Sequence, residues 1–171
     1  MDIIYDLLIP CALSFLSCMG FGVQFNVRRK NLLAASIGAV VCKAVDLVLL
    51  HQGIGEVRAC FLATTALAIY SEVLARLFRS PVTMYLIVGI IPVVPGSAVF
   101  YTMQSLVMGD HETFLERCID SFEIAGAIAM GIFIVPAIIK LWKDFRYEHM
   151  DDIKQAVKNV STKHDRSIKK I

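Results

Sequence analysis

Charged residues are scarce in this 171-residue chain: they make up 19% of the sequence, and their formal sum is only +2. Such a small excess argues against a nucleic-acid-binding protein, whose domains are markedly basic. The four histidines lie far apart, and neither H-E-x-x-H nor G-x-S-x-G occurs. We therefore predict that the chain is not an enzyme, needs no cofactor and binds no nucleic acid.

Cysteine pairs are also missing, although the chain has five cysteines. None forms a C-x-x-C motif or has a histidine at zinc-ligand spacing. All lie in or beside apolar segments, where a free cysteine behaves as a small hydrophobic residue. We predict no metal site and no redox role.

What the chain has in abundance is apolar sequence: 57% of its residues are hydrophobic, and the mean hydropathy is +0.65. The apolar residues form five segments, each close to the roughly 20 residues that a membrane-spanning helix needs. They cover residues 3–25, 32–50, 57–75, 82–108 and 118–142. We predict an all-α polytopic membrane protein with five transmembrane helices, and we expect the first segment to be retained as a span because it lacks the features of a cleaved signal peptide.

The stretches that follow these five segments alternate in basic content. Three of them are rich in Lys and Arg, whereas the connections at 51–57 and 109–117 are not; the basic residues are Arg28, Arg29, Lys30, Arg76, Arg79, Lys140, Lys143 and Arg146. Basic connections favour the cytoplasmic side. We therefore predict an outside N-terminus and a cytoplasmic C-terminus in a multi-pass protein of the cell membrane.

After residue 142 the sequence becomes abruptly polar. We predict a transmembrane domain at 1–142 and a charged cytoplasmic tail at 143–171 that is helical in its first part. Apolar residues at helical spacing from Trp142 to Val160 suggest that this helix docks on a partner or on the lipid surface.

The fourth segment contains Pro92 and Pro95, followed directly by Gly96. A helix cannot continue unbroken through two prolines, because each lacks an N–H donor and its ring clashes with the preceding turn. We predict that the fourth transmembrane helix is broken at this Pro-x-x-Pro-Gly sequence, near the middle of the membrane. The alternative is a kink that only shapes helix packing, since Pro and Gly are common in membrane helices.

A broken helix exposes backbone groups of both polarities. Carbonyls of Val88 and Ile91 suit an ammonium group, and N–H groups from Gly96 to Ala98 suit a carboxylate, which together match a zwitterionic amino acid. Ser97, Tyr101 and Gln104 follow at helical spacing as a polar stripe. The predicted substrate-binding residues are Pro92, Pro95, Gly96, Ser97, Tyr101 and Gln104.

Ionisable residues inside the other segments are candidates for coupling or gating. Lys43 and Asp46 share a face of the second helix, either as a mutual ion pair or as a substrate-facing or proton-coupling pair. Glu72 and Arg76 are spaced for a surface ion pair or a titratable gate. Asn26 either caps the following helix or belongs to this functional set.

Several runs in the sequence resemble the smaller subunit of the split threonine/serine exporter family, which corresponds to the C-terminal half of the fused exporter. The runs are Gly20 to Val27, Ser71 to Arg76 followed by Pro81, and Ile90 to Gly96 with Tyr101-Thr102-Met103. The resemblance implies functional roles for Asn26, Glu72, Arg76, Pro92, Pro95, Gly96, Tyr101 and Met103.

This resemblance implies a secondary exporter of threonine, serine or similar small amino acids. It also implies a larger membrane subunit as partner, related to the N-terminal half of the fused exporter; a homo-oligomer is the other arrangement. Related two-subunit systems export dicarboxylates such as succinate, so a succinate-type exporter subunit is one alternative. A scaffold that supports the larger subunit without transporting is another.

Overall fold

The structure, a computed structural model, describes the backbone of residues 2–168 and, within it, the side chains of residues 7–143 and of Phe145. Every regular element in this range is helical, which confirms the all-α prediction. The helices are α1 (Asp2–Gln24), α2 (Arg29–His51), α3 (Glu56–Phe78), α4 (Val82–Ile90), a 3-10 turn (Ile91–Val93), α5 (Gly96–Val107) and α6 (His111–Ile168).

Four of the described helices are long and apolar enough to cross a membrane: α1, α2, α3 and α6. Val82–Val93 and Gly96–Val107 meet the same criteria only when taken together, and the two pieces are bent by 51° relative to each other. The described chain therefore has four candidate spans, or five if this bent pair is one span.

Helix α6 begins at His111, whereas the sequence predicted a polar connection up to residue 117. Asp110 starts the helix: its carboxylate accepts the Thr113 N–H at 3.2 Å and the Thr113 hydroxyl at 2.6 Å. These two hydrogen bonds, first that of the hydroxyl, lower the pKa of Asp110 below its usual value. Hydropathy did not predict this start of the helix because most of residues 111–117 are polar.

The chain divides into two compact units, Met1–Val135 and Pro136–Ile171. The first contains α1 to α5 and the start of α6, and the second contains the remainder of α6. The division at residue 142 stays a prediction. Beyond Phe145, the predicted apolar stripe of the tail lies outside the described side chains.

Helix α2 is central to the first unit and packs against α1, α3 and α4. Its inner face carries alanines, among them Ala35 and Ala39, which are fully buried. Short side chains let helices approach closely enough for polar contacts between them. The Tyr70 hydroxyl of α3 donates a hydrogen bond to the Ala34 carbonyl at 2.9 Å.

Glycines mark the closest helix contacts. A Cβ atom added at Gly22, Gly38 or Gly89 would collide with a side chain of the neighbouring helix, and one added at Gly131 would lie 2.9 Å from the Phe61 backbone oxygen. Gly126, by contrast, has nothing within 4 Å of an added Cβ. Helix α6 therefore contacts α3 through Gly131.

Four helices end in the same hydrogen-bonded turn with one residue in the left-handed conformation. That residue is glycine after α2 (Gly53) and α5 (Gly109), but Asn26 after α1 and Arg79 after α3. After α1, for example, the Val27 N–H donates to the Gly22 carbonyl and the Asn26 N–H to Val23. Asn26 thus ends α1 and does not cap α2, whose N-cap is Arg28.

The contact at Gly131 predicts a stability difference between two glycine variants of α6. Gly131→Ala places a methyl group against α3 backbone and should lower the free energy of unfolding by about 1–3 kcal/mol. Gly126→Ala adds the same atoms in open space and should leave stability equal or slightly higher, because alanine favours helix. Thermal unfolding in a mild detergent measures both, and equal melting temperatures would contradict the predicted contact.

Candidate functional site

A cavity of about 480 Å³ opens beside the start of α5. It is formed by α3, α5 and α6, and its lining includes Glu56, Ser97, Tyr101, Glu116, Arg117 and Asp120. Two of these six residues, Ser97 and Tyr101, belong to the predicted substrate site. The other four come from parts of the chain that the sequence did not connect with it.

The backbone at the break presents donors to this cavity. The Gly96 N–H already donates to the Val94 carbonyl at 2.7 Å, and the first helical bond of α5 runs from the Val99 N–H to the Pro95 carbonyl at 3.1 Å. The N–H groups of Ser97 and Ala98 lie between these bonds, in the first turn of α5, where N–H groups have no acceptor within the helix. Both residues line the cavity. Two backbone donors are therefore available here, where the sequence suggested three.

Tyr101 connects α5 to α6. The Arg117 guanidinium carbon lies 5.4 Å from the centre of the Tyr101 ring, within the range of a cation–π contact. At the next residue of α5, the hydroxyls of Thr102 and Ser121 are 3.3 Å apart and share a hydrogen bond. These contacts hold the phenol and the guanidinium side by side in the cavity wall.

The cavity contains charges of both signs. Glu56, Glu116 and Asp120 contribute three carboxyl groups, and Arg117 contributes one guanidinium. Ser97 and Tyr101 add two hydroxyl groups that can donate or accept hydrogen bonds. This combination can bind a small molecule that itself carries both an ammonium and a carboxylate.

One of the two carbonyls predicted as acceptors already has a partner. The Val88 carbonyl accepts a hydrogen bond from the Cys18 thiol of α1 at 2.9 Å, and Val88 is only 1% exposed. The role of the Ile91 carbonyl stays a prediction. The carboxylates of the cavity are further groups that can bind an ammonium group.

The remaining predicted site residues lie around the cavity without lining it. Pro92 is half-buried, and Gln104 is exposed. Pro95 and Met103 line a separate apolar cavity of about 290 Å³ between α5 and α6. A Cβ atom added at Gly96 would meet nothing within 4 Å.

Gly89 lies two residues before the 3-10 turn and is close to Leu67, at the middle of α3, whereas Ser97 shares its cavity with Glu56, the first residue of α3. The depth of the break in the membrane stays a prediction.

Lys43 and Asp46 form an ion pair of 2.9 Å. The Asp46 side chain is 5% exposed and that of Lys43 is 23% exposed, and the Cys60 thiol lies 3.9 Å from the second Asp46 oxygen. Glu72 and Arg76 are paired at 3.5 Å in a more exposed position. Both ion pairs agree with the spacing in the sequence, which is i, i+3 for the first pair and i, i+4 for the second. Neither pair belongs to the lining of the cavity, and nor does Asn26.

Sequence reasoning missed Glu116, Arg117 and Asp120 because they fell in or next to the predicted connection. One signal for them existed: Thr113, Arg117, Asp120 and Ile124 recur at intervals of three and four residues, as on one face of a helix. Within the described residues, no group of three His, Cys, Asp or Glu side chains could hold a metal ion.

Helices of this length and apolar character are typical of a helical membrane protein. Residues 10–138 match the family described as "Threonine/Serine exporter, ThrE". The chain belongs to this family, which is a family of transporters and not of enzymes.

One curated relative is an uncharacterized protein of Haemophilus influenzae (strain ATCC 51907 / DSM 11121 / KW20 / Rd). It is 28% identical over 140 residues, which are 77% of this chain. The chain spans about half the length of this relative (46%). No solved structure matches.

The buried ion pair predicts that its two members depend on each other. Asp46→Ala leaves the Lys43 ammonium unpaired and should destabilise the protein by up to about 3–5 kcal/mol. The double variant Lys43→Met with Asp46→Leu replaces both charges by apolar groups and should recover most of this loss. Thermal unfolding in detergent gives the three values.

The matched control for this experiment is the exposed pair. Glu72→Gln with Arg76→Gln should cost less than about 1 kcal/mol, because exposed ion pairs contribute little. A double variant at positions 43 and 46 that is as unstable as Asp46→Ala would show that the two charges do not neutralise each other.

Proposed function

We propose that the protein is a subunit of a secondary exporter of threonine, serine or a similar small amino acid in the bacterial plasma membrane. The observation that carries this proposal is the cavity beside α5, where two free helix N–H groups and one guanidinium lie with three carboxyl groups. Family membership supports the transport class and the substrate type.

In this proposal the substrate carboxylate lies near the N-terminus of α5. The Ser97 and Ala98 N–H groups and the positive end of the helix dipole favour an anion there, and Arg117 adds a full positive charge. The substrate ammonium is bound by the carboxylates of Glu116, Asp120 and Glu56. The Ser97 and Tyr101 hydroxyls can bind the hydroxyl of threonine or serine.

The charge composition of the cavity favours an amino acid over a dicarboxylate. Three carboxyl groups line it against one guanidinium. A dicarboxylate such as succinate would bring two further negative charges close to the three that are present, and like charges in a partly desolvated site repel strongly. A zwitterion brings its own positive charge and avoids this cost.

We further propose the five-span topology in which the bent pair α4–α5 crosses as one span. The N-terminus is then outside and the C-terminus cytoplasmic. In this orientation the cavity lies toward the outer side, because Glu56 follows the connection predicted to be outside. Arg28 and Arg79 lie in the two turns predicted to face the cytoplasm.

We propose that the cavity is completed by a second polypeptide, the larger exporter subunit, or by another copy of this chain. The cavity residues Tyr101, Glu116, Arg117 and Asp120 are all exposed. Charged groups at a membrane surface require a polar partner or water. The Haemophilus relative, of whose length this chain spans 46%, supports a longer complete unit.

For ion coupling and gating, we propose roles for Lys43, Asp46, Glu72, Arg76 and Asn26. Of the two ion pairs described in the first unit, Lys43–Asp46 in α2, with a nitrogen–oxygen distance of 2.9 Å, is the less exposed. If it takes part in coupling, we expect the double variant Lys43→Met with Asp46→Leu to reach the membrane and fail to export.

The substrate site is tested by adding bulk at Gly96, directly before the two N–H donors of the cavity, without disturbing the fold. Gly96→Leu projects a side chain where the chain leaves open space, so folding should be retained while export of radiolabelled threonine falls at least about tenfold, the equivalent of 1.4 kcal/mol. Efflux from cells that express this chain together with its larger subunit is the measurement. Membrane levels of the variant are measured in parallel.

Gly20→Leu is the matched control, since Gly20 also has nothing within 4 Å of an added Cβ but lies on α1. It should export normally. If cells with the Gly96→Leu variant export threonine as fast as cells with the wild type, the proposed site is wrong. A scaffold without its own site would likewise tolerate this substitution, and efflux of labelled succinate in place of threonine would favour the dicarboxylate alternative.

A further inference from the structure

A second cavity, of about 420 Å³, lies at the opposite end of the bundle. It is formed where the turn between α1 and α2 meets the turn between α3 and α4. The Asn31 side-chain amide donates a hydrogen bond to the Ser80 hydroxyl at 2.9 Å and so holds the two turns together. Of its lining residues, the proposed transport function uses only Asn26.

The polar part of its lining is cationic. Arg28 and Arg79 both line the cavity, and its lining contains no acidic residue. The ion pairs and side-chain hydrogen bonds found among the described side chains involve neither guanidinium. Two unpaired guanidinium groups at one small cavity create a strong local attraction for an anion.

The other part of the lining is apolar. Phe25, Met84 and Ile87 form it, and Phe25 and Ile87 are more than half exposed. These side chains lie on the membrane-spanning helices or next to them, immediately beside the two arginines. A ligand that fits both parts must combine an anionic group with a hydrocarbon chain.

The backbone gives independent support for a role of Arg79. Of the four helix-ending turns, the two at the other end of the bundle place glycine in the left-handed position. Arg79 adopts φ 51° and ψ 43° at the equivalent position. A side chain there costs about 1–2 kcal/mol relative to glycine. Such a strained residue at the rim of a cavity indicates that its side chain is needed there.

We propose that this cavity binds an anionic phospholipid. The lipid phosphate lies between the Arg28 and Arg79 guanidinium groups, and the side-chain amides of Asn26 and Asn31 can donate further hydrogen bonds to it. The start of an acyl chain covers Phe25 and Ile87. A basic cavity between membrane helices at the headgroup level has the chemistry that such lipids require.

The test uses two substitutions that remove charge without harming the local backbone. Arg79→Gly relieves the left-handed strain, and Arg28→Ser introduces a preferred N-cap residue at the start of α2. Native mass spectrometry of the full chain in a neutral detergent measures binding of phosphatidylglycerol and of phosphatidylcholine. The wild type should bind phosphatidylglycerol more tightly, and the double variant should bind it roughly 25-fold more weakly, about fivefold for each arginine.

Arg29→Ala with Lys30→Ala is the matched control, because it removes the same number of charges from the start of α2, next to Arg28 but outside the cavity lining. It should retain most of the binding. The proposal is overturned if this control loses as much affinity as the cavity variant, or if the wild type does not distinguish the two lipids. Displacement of phosphatidylglycerol by millimolar inorganic phosphate would show that the site recognises free phosphate and would also overturn it.

Discussion

The constraint on which the structure depends is that a backbone in a membrane must satisfy its hydrogen bonds internally. A continuous helix through Pro92 and Pro95 cannot satisfy all of its backbone hydrogen bonds. The backbone groups on the two sides of the break therefore have different surroundings. Before it, the Cys18 thiol satisfies the Val88 carbonyl in a buried contact with α1. After it, Ser97 and Ala98 open α5 into a polar cavity. The chain before the break therefore contributes a contact that stabilises the bundle, and the chain after it lines an open cavity.

Close helix packing makes this asymmetry possible. The alanines of α2 and the glycines at positions 22, 38, 89 and 131 bring the helices of the first unit together, so that a thiol or a hydroxyl on one helix reaches a carbonyl on another. The packed interior also contains buried polar groups, among them Asp46 and the hydroxyls of Ser71 and Tyr85, and the two cavities with charged linings lie at the two ends of the bundle. One end carries a cavity with charges of both signs and the other a cavity with two arginines.

Much of this arrangement could be predicted from local sequence, and the rest could not for an identifiable reason. Proline chemistry and helical spacing are local, and they led to Ser97 and Tyr101 and to both ion pairs. Arg117 and Glu56 are brought to Ser97 only by tertiary packing of three helices, for which a single sequence gives no direct signal. The start of α6 depended on the Asp110 cap, which hydropathy does not register. The closure of the Val88 carbonyl likewise required a thiol from α1, 70 residues away in the chain.

The open cavity has a consequence for assembly. Glu116, Arg117 and Asp120 are exposed on α6, and lipid cannot solvate charged side chains at low cost. If the α5–α6 pair lies at membrane depth, water or another polypeptide must cover these residues. Water alone would weaken the attraction between these charges and the proposed zwitterionic substrate, because that attraction falls as the effective dielectric constant rises. In the proposed assembly a second subunit closes the cavity, and the charges now exposed on α6 would then lie in its interior.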